Sequence, residues 1–183
     1  VQKDTLGKMY YYRYPIEGSD SEYVTIATTR PETMFGDTAV AISKDNEKLK
    51  HLIGKNCIIP IINKVIPIIA DEHADPEKGT GAVKITPAHD FNDFEVGKRH
   101  NLPLVNILNP DATLNENTPY EGMTTQEARA KTIEELTKLG LMDKIEDHPM
   151  VIPYGDRSGV VIEPLMTDQW FVDTSKLAPD AIR

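Results

Sequence analysis

Period-two alternation of apolar and polar positions governs most of this chain, and helical spacing is confined to a few segments. Residues 9–14 and 23–29 are rich in Tyr, Val, Ile and Thr, side chains that suit a pleated, half-buried surface. Glu17-Gly18-Ser19-Asp20 lies between them as a turn, so the pair is predicted to form a hairpin. Residues 56–69 hold two apolar runs, Cys57-Ile58-Ile59 and Val65-Ile66, separated by Asn63-Lys64 and punctuated by Pro60 and Pro67. Proline gives a ladder no donor, so at least one of these strands is expected at a sheet edge. Residues 141–145, 150–152 and 160–163 return to strand character, with Pro149, Pro153 and Gly155 as breaks.

The clearest helix is predicted over residues 125–139. Thr124 and Glu127 have capping-box spacing, Ala128, Ile133, Leu136 and Leu139 approximate one apolar face, and Gly140 is placed to end it. Residues 45–53 predict a short helix stopped by Gly54. A third begins at Asp90, with Phe91, Phe94 and Val96 able to pack inward. No repeat or low-complexity segment interrupts the pattern. The expectation is a mixed α/β, mainly β fold: a compact β-barrel with peripheral helices.

Length and composition narrow the class. A chain of 183 residues with 39% hydrophobic and 27% charged residues suits one domain with a sizeable core. No apolar run approaches the roughly 18 residues of a membrane span, and nothing at the N-terminus resembles a signal peptide. Cys57 is the only cysteine, which excludes a disulfide framework and a thiolate metal cluster and makes a reducing cytoplasm the default. The net charge of −9 argues against a general nucleic-acid binder, because sequence-independent affinity comes from cations that neutralise phosphates. Any RNA contact should be small and local.

Candidate chemistry concentrates in two stretches. In a strand over residues 82–86, Ala82, Lys84 and Thr86 share one face while Val83 and Ile85 face the core. Lys84 and Thr86 then form a polar wall, and Gly79 and Gly81 just before them permit close approach of backbone and ligand. The same periodicity admits a half-exposed strand with Lys84 in water. Asp90 and Asp93, three apart at a helix start, sit where free N–H groups and the helix dipole favour ionised carboxylates. Such a pair suits an ammonium ligand; Asp90 as N-cap with Asp93 in the first turn is the ordinary alternative. Pro31 restricts Arg30 to extended conformations and gathers the Thr28, Thr29 and Thr33 hydroxyls and the Arg30 guanidinium into one loop, suited to carbonyl, ribose or phosphate oxygens. A plain polar turn with Glu32 pairing Arg30 has equal claim. His89 invites a general-base or metal role, but His73, His89 and His100 lack the spacing of ligands on one helix, so neither metal nor cofactor is expected.

Thr28-Thr29-Arg30-Pro31-Glu32-Thr33 and the run from Gly79-Thr80-Gly81 through Lys84-Ile85-Thr86-Pro87-Ala88-His89-Asp90 to Asp93 together resemble the paired signatures of the editing domain inserted into class I aminoacyl-tRNA synthetases. Arg-Pro-Glu-Thr is similar to the valyl branch, whereas the isoleucyl branch reads Thr-Pro-Trp-Thr and the leucyl branch Arg-Pro-Asp-Thr. The resemblance runs from about residue 10 to residue 172 and includes Gly159-Val160-Val161-Ile162-Glu163-Pro164 and Gln169-Trp170-Phe171. It implies residues 1–172 as the editing domain and 173–183 as an exit segment towards a catalytic body, against which Trp170 and Phe171 would bury.

The activity so implied is post-transfer hydrolysis of threonine wrongly esterified to valine-specific tRNA, with water as nucleophile. Asp93 would bind the α-ammonium, and Lys84, Thr86 and Asp90 would surround the threonine hydroxyl. Thr28, Thr29, Arg30 and Thr33 would hold the terminal adenosine and ester carbonyl, with Gly79, Gly81 and His89 beside them. The implied partners are the 3′ end of the aminoacylated tRNA and the rest of a larger cytoplasmic synthetase, the domain itself being a monomer without membrane contact. A second sieve has a physical reason to exist: a hydrophobic pocket rejects poorly an isostere that adds a hydroxyl, the established figure for valyl enzymes against Thr being only ~10². Two departures matter. No His-Ile-Gly-His-like or Lys-Met-Ser-Lys-Ser-like element is present, so ATP-dependent aminoacylation is not expected. The Cys-x-x-Cys-like knuckle of some relatives is replaced by Tyr154-Gly155-Asp156-Arg157-Ser158-Gly159. A non-catalytic module for the tRNA end and a structural β-domain are the rival readings.

Overall fold

A computed structural model of the chain describes residues 1–170, 172–174 and 178. Phe171 and most of the 173–183 tail therefore lie outside the described residues. Two strands, β1 (Gln2–Pro15) and β2 (Tyr23–Thr28), form the expected hairpin, with Tyr12 opposite Ile26 and Tyr14 opposite Val24. Alternation decides what they bury: Tyr12, Tyr14, Val24 and Ile26 are fully enclosed, while Tyr11 and Arg13 point the other way and stay half exposed.

The other edge of β1 pairs antiparallel with β7 (Met142–Pro153). Pro149 does not break this strand, contrary to expectation, because β7 has a neighbour on one side only and the missing N–H is not needed. Residues 160–163 form no further strand; Val161 makes an isolated bridge to Tyr154.

A second sheet has the order β4 (Asn56–Ile59), β5 (Lys64–Ala70), β3 (Ala39–Ile42), β6 (Ala82–Ile85), and β4 takes the expected edge. Every residue of β3 is buried, and its period of two splits the interior. Val40 and Ile42 join the main core with the tyrosines of β1, whereas Ala39 and Ala41 meet Ile85 and Val96 in a smaller cluster. Among the described residues the strands form two open sheets rather than one closed barrel. The sheets meet at a corner where Ile16 bridges Cys57.

Helix α2 (Thr125–Lys138) has the predicted capping box: Thr124 N donates to Glu127 Oε2 at 2.9 Å, and Glu127 N donates to Thr124 Oγ1 at 3.3 Å. It buries Ala128, Thr132 and Leu136, but Leu139, past the last helical residue, is exposed. Residues 45–53 do not form the expected helix. The Asn46 side chain takes the N–H groups of Lys48 and Leu49 at 3.2 and 3.1 Å, which favours a turn, and a single 3-10 turn follows at Lys50–Leu52 before Gly54.

Candidate functional site

Helix α1 (Phe91–His100) brings the second motif to the end of β6. Asp90 is its N-cap, accepting from Asn92 N at 2.8 Å and Asp93 N at 3.1 Å. Val96 and Gly97 face inward, and a Cβ on Gly97 would lie 3.0 Å from the Pro87 ring, so glycine lets the helix close on Pro87. Phe91, expected inside, is 75% exposed, and the buried residues of the helix are Asp93, Val96 and Gly97.

The first motif forms a 3-10 turn, Pro31–Gly36, buried throughout. Proline starts it where no donor is needed, and Thr33 Oγ1 closes it by donating to Arg30 O at 2.8 Å. Gly36 permits close packing, since a Cβ there would meet Thr86 Cγ2 and Val105 O at 3.1 Å. Glu32 does not serve mainly as partner to Arg30, whose Nε is 3.9 Å away. It is buried and bound in bidentate fashion by Arg129 of α2 at 2.9 and 2.8 Å.

Both motifs face one cavity of about 300 Å³. Thr28, Thr29, Arg30, Thr33, Lys84, Thr86, His89, Asp90 and Asp93 all line it, joined by Met9, Ala27, His73, Val83 and Asn92. Gly79 and Gly81 are not among the lining residues. With φ of +57° and +75° they shape the preceding turn, where a Cβ on Gly81 would lie 2.4 Å from Asn46 Nδ2.

Lys84 is buried, not solvated. Its Nζ donates to Asp37 Oδ1 at 2.8 Å, Thr33 Oγ1 at 2.9 Å and Thr86 Oγ1 at 2.5 Å. Asp37 was not anticipated among the site residues. It also accepts from Thr86 Oγ1 at 2.7 Å and from the Tyr14 hydroxyl at 2.6 Å. Full burial pushes its carboxyl upward, against the pull of Lys84, Tyr14 and Thr86. One signal could have found it: a lysine on an inward strand position needs a carboxylate, and Asp37 lies four residues past the end of the first motif, at the close of its 3-10 turn.

Asp93 Oδ2 accepts from Thr86 N at 2.9 Å, while Oδ1 is 3.5 Å from Nε2 of His73, a second unanticipated neighbour. The helix start does not keep this carboxyl fully ionised. Burial outweighs the Thr86 N–H bond and the Lys84 charge and raises its pKa to about 6. His89 has both ring nitrogens engaged: one lies 3.0 Å from Pro164 O, and Nε2 accepts from Ile107 N at 2.9 Å. Accepting at Nε2 places the proton on Nδ1, and burial with the nearby Arg30 and Lys84 charges lowers the pKa to about 4. His89 is thus a neutral brace in the wall. Arg30 donates to His89 O at 3.1 Å and pairs with Glu163 at 2.5 Å. Thr28 Oγ1 accepts from Arg30 N at 3.0 Å. An adjoining hollow of about 470 Å³ shares Thr29, Arg30 and Asp90 with the cavity and reaches the first turn of α2.

Among the described residues no group of three or more His, Cys, Asp or Glu could hold a metal ion, and no helix is long and apolar enough to cross a membrane. Cys57 is buried with its thiol pushed up to about 12 by desolvation and is not part of the cavity lining.

A family model described as the leucyl-tRNA synthetase editing domain matches residues 43–148, more than half of the chain. The chain belongs to the editing-domain family of class I aminoacyl-tRNA synthetases. Its curated relatives include the valine–tRNA ligase of Francisella tularensis, 52% identical over 100% of this chain and 20% of that protein. That of Lactococcus lactis is 53% identical over 100% of this chain and 21% of its own length. The chain thus spans about a fifth of the relatives it matches. The fold is also similar to that of Agrobacterium radiobacter K84 agnB2 LeuRS in its ternary LeuRS-tRNA-LeuAMS complex, with a TM-score of 0.62, 17% identity, and coverage of 96% of this chain and 28% of that one.

Proposed function

We propose that this chain hydrolyses the ester of threonine mischarged on valine-specific tRNA, as the editing part, residues 1–172, of a longer cytoplasmic valine–tRNA ligase. The observation that carries the reading is the meeting, in the lining of one cavity, of a buried polar wall, Thr33, Lys84 and Thr86, with a carboxylate, Asp93, whose Oδ1 is not taken by the backbone. An α-amino ester with a β-hydroxyl has a hydroxyl for the wall and an ammonium for Asp93. Valine lacks the hydroxyl, and its entry leaves the polar wall unpaired at roughly 1–3 kcal/mol per group.

In this reading the ammonium pairs with Asp93 and offsets the cost of its ionised form. The terminal nucleotide lies in the adjoining hollow, with Thr28, Thr29 and Arg30 near its ribose and the ester carbonyl. Water attacks that carbonyl carbon, the bond to the ribose oxygen breaks, and that oxygen leaves protonated, releasing threonine and uncharged tRNA. Positioning and charge stabilisation at the carbonyl oxygen supply the rate. The exit segment beyond residue 172 leads to the ligase body, and the domain acts as a monomer.

The test is to incubate the chain with threonyl- and valyl-charged valine tRNA and follow deacylation. Faster loss of the threonyl ester is expected. Equal rates on both would end the second-sieve reading, binding without turnover would leave a tRNA-end module, and neither would leave a structural domain.

A further inference from the structure

The hydrogen-bond directions around Lys84 define what its wall offers a ligand. An ammonium has three donors and no acceptor, and those of Lys84 already meet Thr33, Asp37 and Thr86. Each threonine hydroxyl has a single proton. That of Thr33 goes to Arg30 O at 2.8 Å, and that of Thr86 goes to Asp37 Oδ1 at 2.7 Å. Each oxygen accepts from Lys84 with one lone pair and keeps the other. Thr33 and Thr86 both line the cavity, so what they present is acceptor capacity without a proton to give.

Asp37 organises this arrangement without lining the cavity itself. Its Oδ1 takes both the Thr86 proton and one Lys84 donor, and its Oδ2 is fixed by Tyr14 at 2.6 Å. Resting on the editing reading above, we propose that Asp37 is the positioning residue for specificity: by taking the Thr86 proton, as Arg30 O takes that of Thr33, it leaves the threonine wall able only to accept hydrogen bonds, so that the site selects an acyl side chain whose hydroxyl donates. Lys84 then contributes charge and orientation and does not itself donate to the substrate hydroxyl.

The probes are three esters on valine tRNA: threonyl, valyl, and 2-amino-3-fluorobutyryl, in which fluorine replaces the hydroxyl with a weak acceptor of similar size and no proton. The threonyl preference over valyl is measured first on the unchanged chain. Its absence removes the editing reading and this proposal with it. Given that preference, the fluorinated ester is expected to be cleaved at least about tenfold more slowly than the threonyl ester, near the valyl rate, since a lost hydroxyl partner in a buried site costs about that factor or more. Cleavage at the threonyl rate would show recognition by a donor and overturn the proposal while leaving the editing reading intact. Asp37→Asn gives Thr86 a neighbour able to donate and releases its proton; the threonyl-over-valyl ratio is expected to fall at least about tenfold. Tyr14→Phe removes only the Oδ2 partner and is expected to keep the ratio despite lost stability. If Tyr14→Phe loses the ratio as Asp37→Asn does, loosening of the core explains both, and Asp37 has no special part. Should Asp37→Asn fail to fold, the fluorinated ester on the unchanged chain decides.

Discussion

Replacing Asp93 by Asn should make the chain more stable and abolish its proposed activity. In the structure the Asp93 carboxyl is raised from its ordinary 3.8 to about 6, chiefly by burial. At 1.36 kcal/mol per pH unit, holding it ionised at neutral pH costs at most about 3 kcal/mol. Asn keeps an oxygen for Thr86 N, now accepted at 2.9 Å, and carries no charge. The gain expected at pH 7.5 is therefore about 2–3 kcal/mol, or roughly 2–4 °C of Tm per kcal/mol for a chain of this length. A raised carboxyl contributes stability that is complete below 3.8 and is lost as the pH rises through about 6, so the advantage of Asp93→Asn should vanish towards pH 4. His89 slopes the other way. Held neutral with its pKa lowered from 6.5 to about 4, it contributes stability that is present above 6.5 and lost as the pH falls through 4, again about 3 kcal/mol. The parent's share from these two groups should be nearly flat between pH 7 and 4, whereas the variant keeps only the His89 slope. Urea unfolding followed by far-UV circular dichroism at both pH values measures this; Trp170 is fully exposed and reports poorly. A variant no more stable than the parent at pH 7.5 would refute the reasoning, because the ionised carboxylate would then carry no penalty for a substrate ammonium to relieve.

Deacylation should proceed unchanged in EDTA; loss of activity restored by zinc would show a metal requirement. Arg129→Ala leaves the buried Glu32 carboxylate with only the distant Arg30 Nε at 3.9 Å, so a loss of about 3–5 kcal/mol is expected in urea unfolding; a loss below about 1 kcal/mol would mean that the pair is dispensable. Removal of residues 173–183 should leave threonyl-tRNA deacylation within about twofold of the full chain, and an unfolded or inactive truncation would place the domain boundary further on.

Period-two patterning made the β1–β2 hairpin and the edge position of β4 legible, because each depends on neighbours in sequence or on one buried face; on β6 it misplaced Val83, expected in the core but half-buried and lining the cavity beside the buried Lys84. Capping chemistry located α2 for the same reason. The misses share a different cause. Pro149 reads as a strand breaker until one knows that β7 has a free edge. Asn46 reads as part of a helix until its side chain is seen taking two backbone N–H groups. Closure of the sheets into a barrel is a long-range property that alternation does not encode. At the site, both motif stretches were legible and do converge on one cavity, but Gly79 and Gly81 are not among its lining residues. Asp37 and His73 could be reached only through partners 47 and 20 residues away in the chain.

Residues remote from both motifs set the geometry of the cavity mouth. Arg30 does not stand free in it: Glu163 holds one guanidinium nitrogen and His89 O another. The His89 ring is itself fixed between Pro164 O and Ile107 N, and Met166 N reaches Ala88 O at 3.0 Å. Residues 163–166 therefore run as a strap across the first and second motifs, locking a cation and a neutral imidazole whose freedom would otherwise be large. A guanidinium already paired to a carboxylate can give a ligand only its remaining N–H groups, in the direction the pair leaves open. Orientation by Glu163 thus makes Arg30, which lines the cavity, a donor of fixed direction. The strap makes residues 163–166 part of the site.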